Sequence, residues 1–340
     1  MDKSIKISII IPIFNCDKYL IDCLNSILNQ SLDLEEFEVI MVNDGSNDNS
    51  QTIINEFEKN YKNFVSINQT HLGVGKSRNK GLSLASGDYV YFMDADDWLL
   101  QGGMRILIDK YIRPNNYPDV ITFNSRTVDK YYKHNSWNYI NENKKTYDGT
   151  LNEFAVSRGI SNSAWNCLIS KKLLLQTGIK FTSHKIAEDM LFMINLFNLQ
   201  NPSIIATNLN FYRYRVHKTS ALNSNNRDYL KEIFFDLNDI IIKLEEYKIN
   251  SFIPSCVLDN KINLCRRWAF TRLCSGGFNY KVIKNLIKNS NIKEVALFDR
   301  YDKINSLITF FLKYPFLTFM FSIFYKNLFI PLIKPFIKRN

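Results

Sequence analysis

The 340-residue chain lacks several features that would assign it at a glance. Its six cysteines, at 16, 23, 167, 256, 265 and 274, contain no CxxC pair, and none is spaced from the four histidines like a zinc site. Reduced, mostly buried thiols of a cytosolic protein are therefore expected. The N-terminal MDKSIKISIIIPIFN has no small-residue cleavage site, and its apolar run is β-branched and interrupted by Pro12. It reads as a first strand and not as a signal peptide. No internal repeat is visible, and no Walker GxxxxGK[ST] pattern occurs. Nor does the C-terminal region hold the ~20 apolar residues that a spanning helix needs. Its longest charge-free run, 314–325, is 12 residues, bracketed by Lys313 and Lys326 and interrupted by Pro315.

Hydrophobic residues make up 46% of the chain, enough for one large domain or two smaller ones with proper cores. Charge is unevenly spread. Residues 1–220 hold 24 Lys+Arg against 23 Asp+Glu, whereas 221–340 hold 19 against 10, so +9 of the net +10 falls in the last third. Such asymmetry points to a polyanionic partner, either nucleic acid or anionic lipid.

Residues 5–14 form a short continuous apolar run, as in a buried parallel strand. A helical spacing follows over 17–30, a strand over 37–42, a helix over 50–60, a strand over 64–67, a helix over 75–85 and a strand over 88–93. Alternation of this kind predicts βαβ units and a parallel sheet with helices on its faces. Each of the four strands ends in polar residues: Asn15, Asn43-Asp44, Asn68-Gln69 and Asp94 to Asp97. Ligands of open α/β sheets bind beyond the carboxyl ends of strands, so these ends predict a nucleotide site. Residues 124–148, rich in Lys, Asn and Tyr, read as an exposed excursion. Residues 228–248 read as an amphipathic helix, with further helical pattern to about 290.

The densest chemistry is in Tyr91-Phe92-Met93-Asp94-Ala95-Asp96-Asp97-Trp98, where three carboxylates fall within four residues after a strand. Crowded like charges need solvent or a cation. A hard divalent ion with oxygen ligands, sharing its shell with substrate phosphates, is one reading; an acidic loop is the other. Asp44, beside Gly45, can accept a hydrogen bond from a base or ribose, or form an Asx-turn. The run 71–81, HLGVGKSRNKG, resembles a phosphate loop in which Arg78 pairs with phosphate, or is a solvated basic helix face. Glu188-Asp189 opens an apolar helical stretch, where acids suit the helix dipole or supply a general base. The stretch 212–220, YRYRVHKTS, is an exposed basic loop or a clamp that stabilises a leaving diphosphate.

In the order IPIFN, VNDGS, GVGKSRNKG, ASGDYVYFMDADDW, WN, AEDMLF, YRYRVHKTS, the chain resembles the family 2 inverting glycosyltransferases of the GT-A fold, over roughly residues 5–220. The resemblance implies an α/β, Rossmann-like, mostly parallel sheet flanked by helices, with a helical C-terminal region. It divides the chain into a nucleotide-sugar half (1–100), an acceptor half (101–220) and a helical region (221–340). It implies that Pro12, Phe14, Asn15, Asp44 and Arg78 bind the nucleotide sugar. Asp94, Ala95 and Asp96 form the DxD segment, with Arg215, His217 and Ser220 closing over the diphosphate. Asp96, Asp94 and His217 become the ligands of Mn²⁺ or Mg²⁺. Asp189 is the catalytic base, and Trp165, Asn166, Glu188 and Asp97 lie on the acceptor side. One departure is Cys167, where many relatives have Lys after WN.

The implied activity is metal-dependent transfer of a hexosyl or hexosaminyl group from a nucleotide sugar, most simply a UDP-sugar, to a hydroxyl of a glycan or lipid-linked acceptor in bacterial surface polysaccharide synthesis. Nucleic acid is then not a partner. A sugar nucleotidyltransferase would carry a Gly-rich, Arg-containing loop after the first strand, where this chain has Pro12-Ile13-Phe14-Asn15. A non-catalytic carbohydrate-binding or scaffold subunit would have no use for Asp94, Asp96 and Asp189 together. The tail, 304–340, suits a helix lying in an anionic membrane interface, with basic residues snorkelling, before a tilted span, a core helix or a dimer contact. The first reading places the protein on the cytoplasmic face of the membrane.

Overall fold

The computed structural model describes residues 6–112, 117–128, 146–217, 226–290, 308 and 310–325. The chain divides into two units, one comprising Met1–Ser183 with Glu188–Lys218, the other His184–Ala187 with Thr219–Asn340.

The first unit begins with the expected alternation of β1 (Ile7–Ile13), α1 (Asp17–Leu28), β2 (Phe37–Asn43), α2 (Ser50–Asn60), β3 (Phe64–Asn68), α3 (Val74–Leu84) and β4 (Tyr89–Phe92). β1 is continuously apolar because it is sandwiched: β2 and β4 both pair with it in parallel, and β3 extends β2 in parallel. Pairing with β4 stops at Ile10, so Pro12, which has no N–H to donate, sits where a ladder bond is no longer demanded on that side. Of the spacing Tyr19, Leu20, Cys23, Leu24, Ile27 and Leu28, α1 buries Leu20, Cys23, Leu24 and Ile27, while Tyr19 and Leu28 are half-buried at its margins.

Beyond β4 the sheet becomes mixed. The remaining elements are β5 (Trp98–Leu99), α4 (Gly103–Tyr111), β6 (Val120–Val128), β7 (Tyr147–Thr150), α5 (Leu151–Arg158), β8 (Cys167–Ser170), α6 (Lys171–Thr177), α7 (Glu188–Phe197) and β9 (Ser203–Arg215). The strand order is β3-β2-β1-β4-β8-β6-β9-β5, with β7 on β9. β8 is antiparallel to both β4 and β6, and β9 is parallel to β6. β9 therefore runs in the same direction as β1 and β4, and its carboxyl end reaches the same edge. Residues 124–128, expected within an exposed excursion, instead complete β6, because β9 supplies a partner some eighty residues further along the chain. Residues 129–145 lie outside the described residues.

In the second unit, α8 (Arg227–Tyr247) buries Leu230, Ile233, Phe234, Leu237, Ile240, Ile241 and Leu244, and Asn226 caps it by accepting from the N–H groups of Asp228 and Tyr229. α9 (Ser255–Ser275), α10 (Tyr280–Lys288) and α11 (Pro315–Phe324) follow, the last with Pro in its first turn. Among the described residues, no helix is long and apolar enough to cross a membrane. Residues 304–307 and 326–340 of the expected interfacial tail lie outside the described residues.

Candidate active site

The strand directions bring to one sheet edge the residues just after β1 (Phe14, Asn15), β2 (Asp44) and β4 (Asp94 to Asp97), together with the end of β9 (Arg215) and the following His217. Antiparallel β8 adds its amino end there, and with it the short helical turn Ala164–Asn166.

Arg78 is the hub. α3 approaches the sheet through Gly81, where a Cβ would stand 2.3 Å from Ile10 Cγ2, and this lays Arg78 into the interior. Its Nη2 donates to Asp94 Oδ1 at 2.8 Å, and its Nη1 to Glu188 Oε1 at 2.8 Å and to Asp189 Oδ1. Phe181 lies beneath the guanidinium, 5.1 Å from its carbon to the ring centroid. One cation thus serves three carboxylates. Burial alone would make Arg78 easier to deprotonate, but Asp189, Asp94 and Glu188 more than offset this and hold its pKa above the ordinary value. Asp189 is shifted the other way from the usual carboxylate. Burial, with Glu188 and Asp94 nearby, raises its pKa well above the normal range against the opposing pull of Arg78. Its second oxygen accepts from the Ala164 N–H at 3.3 Å.

The acidic loop separates into three roles. Asp94 is tied to Arg78. Asp96 is raised by burial and by Asp94, and its Oδ2 lies 2.7 Å from His217 Nε2. Asp97 is fully buried, accepts from the Arg215 N–H at 2.7 Å and is bonded to the Tyr212 hydroxyl. Burial, then Asp96 and Asp94, push it up to about 9. Asp97, expected on the acceptor side, has its side chain in the core, where it fastens the loop to β9. Arg215 has a similar character. Its Nε donates to the Asp96 carbonyl at 2.9 Å and its Nη2 to Asp22 at 3.1 Å, while its guanidinium lies between Tyr19 and Trp98 at 4.8 and 4.5 Å from their ring centroids. The arginine expected to close over a diphosphate is already engaged in bracing the acidic loop.

Asp44 has all four lone-pair directions occupied. Oδ1 accepts from Gln69 Nε2 at 2.6 Å and Leu72 N at 2.9 Å; Oδ2 accepts from Gly73 N at 2.8 Å and lies 2.9 Å from His71 Nδ1. In the expected phosphate loop the donors already have partners. The N–H groups of Leu72 and Gly73 face the Asp44 carboxylate, and Arg78 is engaged with carboxylates. A base reaching Asp44 must displace a donor, and exposed His71 is the accessible one. His71 also stacks on Phe14, with ring centroids 4.1 Å apart. Asn15, at φ +52°, binds the turn after β2 through Ser46 Oγ and Asn47 N. Trp165 stacks on Tyr212 at 4.4 Å and 7°. Cys167 is buried in β8. Ser220 lies outside the described residues.

Residues 8–172 match the family described as Glycosyl transferase family 2. Through these residues the chain belongs to glycosyltransferase family 2. Among its relatives, the poly(ribitol-phosphate) β-glucosyltransferase of Bacillus spizizenii is 30% identical over 61% of this chain and 32% of its own length. The putative glycosyltransferase EpsH of Bacillus subtilis is 29% identical over 77% of each chain. The aligned region spans about a third of the length of the first relatives. S. aureus TarS 1-349 in complex with UDP-GlcNAc shares the fold, with a TM-score of 0.58 and 20% identity, over 93% of this chain and 89% of TarS 1-349.

Within the family 2 domain, sequence reasoning overlooked Tyr19 and Asp22, which with Trp98 cage Arg215. A signal was present. The two residues are three apart on α1, hence neighbours on one face, and neither belongs to its buried stripe. Phe181, the floor beneath Arg78, carried no local signal.

Proposed function

We propose that this protein transfers a sugar from a nucleotide sugar, UDP-linked, to a hydroxyl of a glycan or lipid-linked acceptor, with inversion, in surface polysaccharide synthesis. The observation that carries the reading is the single guanidinium of Arg78 joining Asp94 of the DxD segment to Asp189. It ties a group on the donor side to a carboxylate of raised proton affinity. Support for the donor and acceptor comes from the UDP-GlcNAc of TarS and from the polymer named for the B. spizizenii enzyme.

Phe14 and His71 offer an aromatic surface for the base, and His71 gives way to let the base reach Asp44. Asp189 takes the proton of the acceptor hydroxyl, and its raised pKa brings it nearer the working pH of a general base. The acceptor oxygen forms its bond to the anomeric carbon as the bond from that carbon to the diphosphate oxygen breaks on the opposite face. The nucleoside diphosphate then departs.

The residues also fit a hard divalent ion. Asp96 oxygen and His217 nitrogen stand side by side, and burial and the neighbouring Asp94 raise the Asp96 pKa. Among the described residues, no cluster of three or more potential metal-ligating side chains occurs. This suits an ion that completes its shell with substrate phosphate and water. Asp96 and His217, with Asp94 beside them, would hold Mn²⁺ or Mg²⁺, which would supply charge neutralisation for the leaving diphosphate.

Asp189→Asn tests the reading. Transfer is expected to fall ~10²–10⁴-fold while nucleotide-sugar binding measured by calorimetry is retained. Wild-type turnover by the variant sinks the assignment of the base.

A further inference from the structure

The last helix among the described residues of the second unit is inside out. α11 turns its polar residues inward: Thr318 is 0% exposed and Ser322 3%. Both hydroxyls are satisfied within the helical segment, Thr318 by the carbonyl of Phe311 and Ser322 by that of Phe319. Its apolar residues turn outward: Phe316 is 56% exposed, Met320 49% and Ile323 42%. These positions, spaced by four and three, form one stripe. The opposite side is anchored by aromatic contacts, since Phe270 of α9 meets both Phe321 and Phe311, with centroids 5.6 and 5.8 Å apart. The helix is therefore held by one face while a row of large apolar side chains stands in solvent. Exposed apolar clusters of this kind mark interaction surfaces.

The neighbouring helix supplies a charge. α10 buries Ile283, Leu286 and Ile287 and turns Lys281, Lys284 and Lys288 outward. Tyr280 joins the two helices, with its ring 6.0 Å from those of both Phe316 and Phe319 and the Lys284 ammonium 5.9 Å from its centroid. Tyr314 and Lys313, both exposed, lie at the amino end of α11. The surface thus combines an apolar stripe, two tyrosines at its margin and a fringe of lysines, within a region of net charge +9.

We propose that the α10–α11 face docks on an anionic lipid bilayer, with Phe316, Met320 and Ile323 entering the acyl boundary and Lys281, Lys284, Lys288 and Lys313 meeting lipid phosphates. Charge complementarity selects this occupant. A second copy of the same face would set its own lysines against lysines, whereas an anionic surface pairs with them and accepts the apolar row at the depth an interfacial helix occupies. The proposal is independent of the transfer chemistry, because it uses no residue of the candidate active site.

The test is sedimentation of the full-length protein with vesicles of phosphatidylcholine alone or containing phosphatidylglycerol. Wild type is expected to bind only the anionic vesicles, and less as salt rises. The combined change Phe316→Ser, Met320→Ser and Ile323→Ser is expected to weaken binding ~tenfold or more. The combined change Lys281→Glu, Lys284→Glu and Lys288→Glu, at exposed positions that leave the packing intact, is expected to abolish the preference for anionic lipid. Nucleotide-sugar binding is expected to be unchanged in both. Wild-type vesicle binding by either variant overturns the proposal. So does analytical ultracentrifugation showing an oligomer that the serine changes dissociate while vesicle binding persists. If the serine variant fails to fold, the glutamate variant decides.

Discussion

The two units handle buried charge in opposite ways. In the α/β unit, Asp44, Asp97 and Glu188 are buried, Asp189 is nearly so, and Arg78 is shared among carboxylates from two distant parts of the chain. In the helical unit the buried charged side chains, among the described residues, are cations: Lys261 and Arg266. Removing charge from water costs several kcal/mol per ion unless partners compensate. The α/β unit compensates internally and leaves a surplus of carboxylate at Asp96, Asp97 and Asp189, each with raised proton affinity. That surplus is what a site for a cation and a proton requires. In the helical unit, burial lowers the pKa of both cations, Lys261 to about 8 and Arg266 against the opposing pull of Glu245 and Asp259. Its functional charge lies instead on the outer faces of α10 and α11.

The contrast breaks first at Arg78. Arg78→Met leaves Asp94, Glu188 and Asp189 without their shared cation, and a loss of about 3–5 kcal/mol in denaturant unfolding is expected. Since Arg78 pulls the Asp189 pKa down, its removal also moves the acidic limb of the pH–rate profile to higher pH. An unchanged limb would separate Arg78 from the base. Next is Lys261→Met. The folded state releases the Lys261 proton near 8 and the unfolded state near 10.5, so wild-type stability rises with pH across that window and the penalty is fully present below it. In the variant that rise is expected to disappear, as measured by denaturant unfolding at pH 7 and at pH 10.5. A rise that persists in the variant would assign it to another group. The smallest effect is expected at Gly81→Ala, which touches no charge. A Cβ 2.3 Å from Ile10 Cγ2 must push α3 from β1, at ~1–3 kcal/mol by thermal unfolding. A neutral result would show that α3 shifts without cost.

The site was unevenly legible in the sequence. Asp94, Asp96 and Asp189 stood out as candidates because crowded acids after a strand, and acids opening a helix, are local patterns. Asp97 read as a site residue from its neighbours alone, yet it faces Tyr212 and Arg215, which lie more than a hundred residues away. Arg78 read as a phosphate ligand because it is a basic residue after glycines. Its true neighbours, Glu188 and Asp189, arrive only when α7 folds against the sheet. The inverted polarity of α11 was similarly hidden, since an apolar segment reveals which side faces out only when α9 and α10 occupy the other.

By itself the sequence determined the alternation from β1 to β4 and the amphipathic helix α8. Periods of two and 3.6 residues are properties of the backbone, and burial follows them locally. It also determined that strand ends carry polar residues and that positive charge gathers in the last third. Only the tertiary structure decided that β8 enters antiparallel between β4 and β6, that β9 carries Arg215 and His217 to the edge of β4, and that one guanidinium serves three carboxylates. Strand order and charge pairing are contacts between residues far apart in the chain. No local period encodes them; the packing energy of the whole sheet selects them.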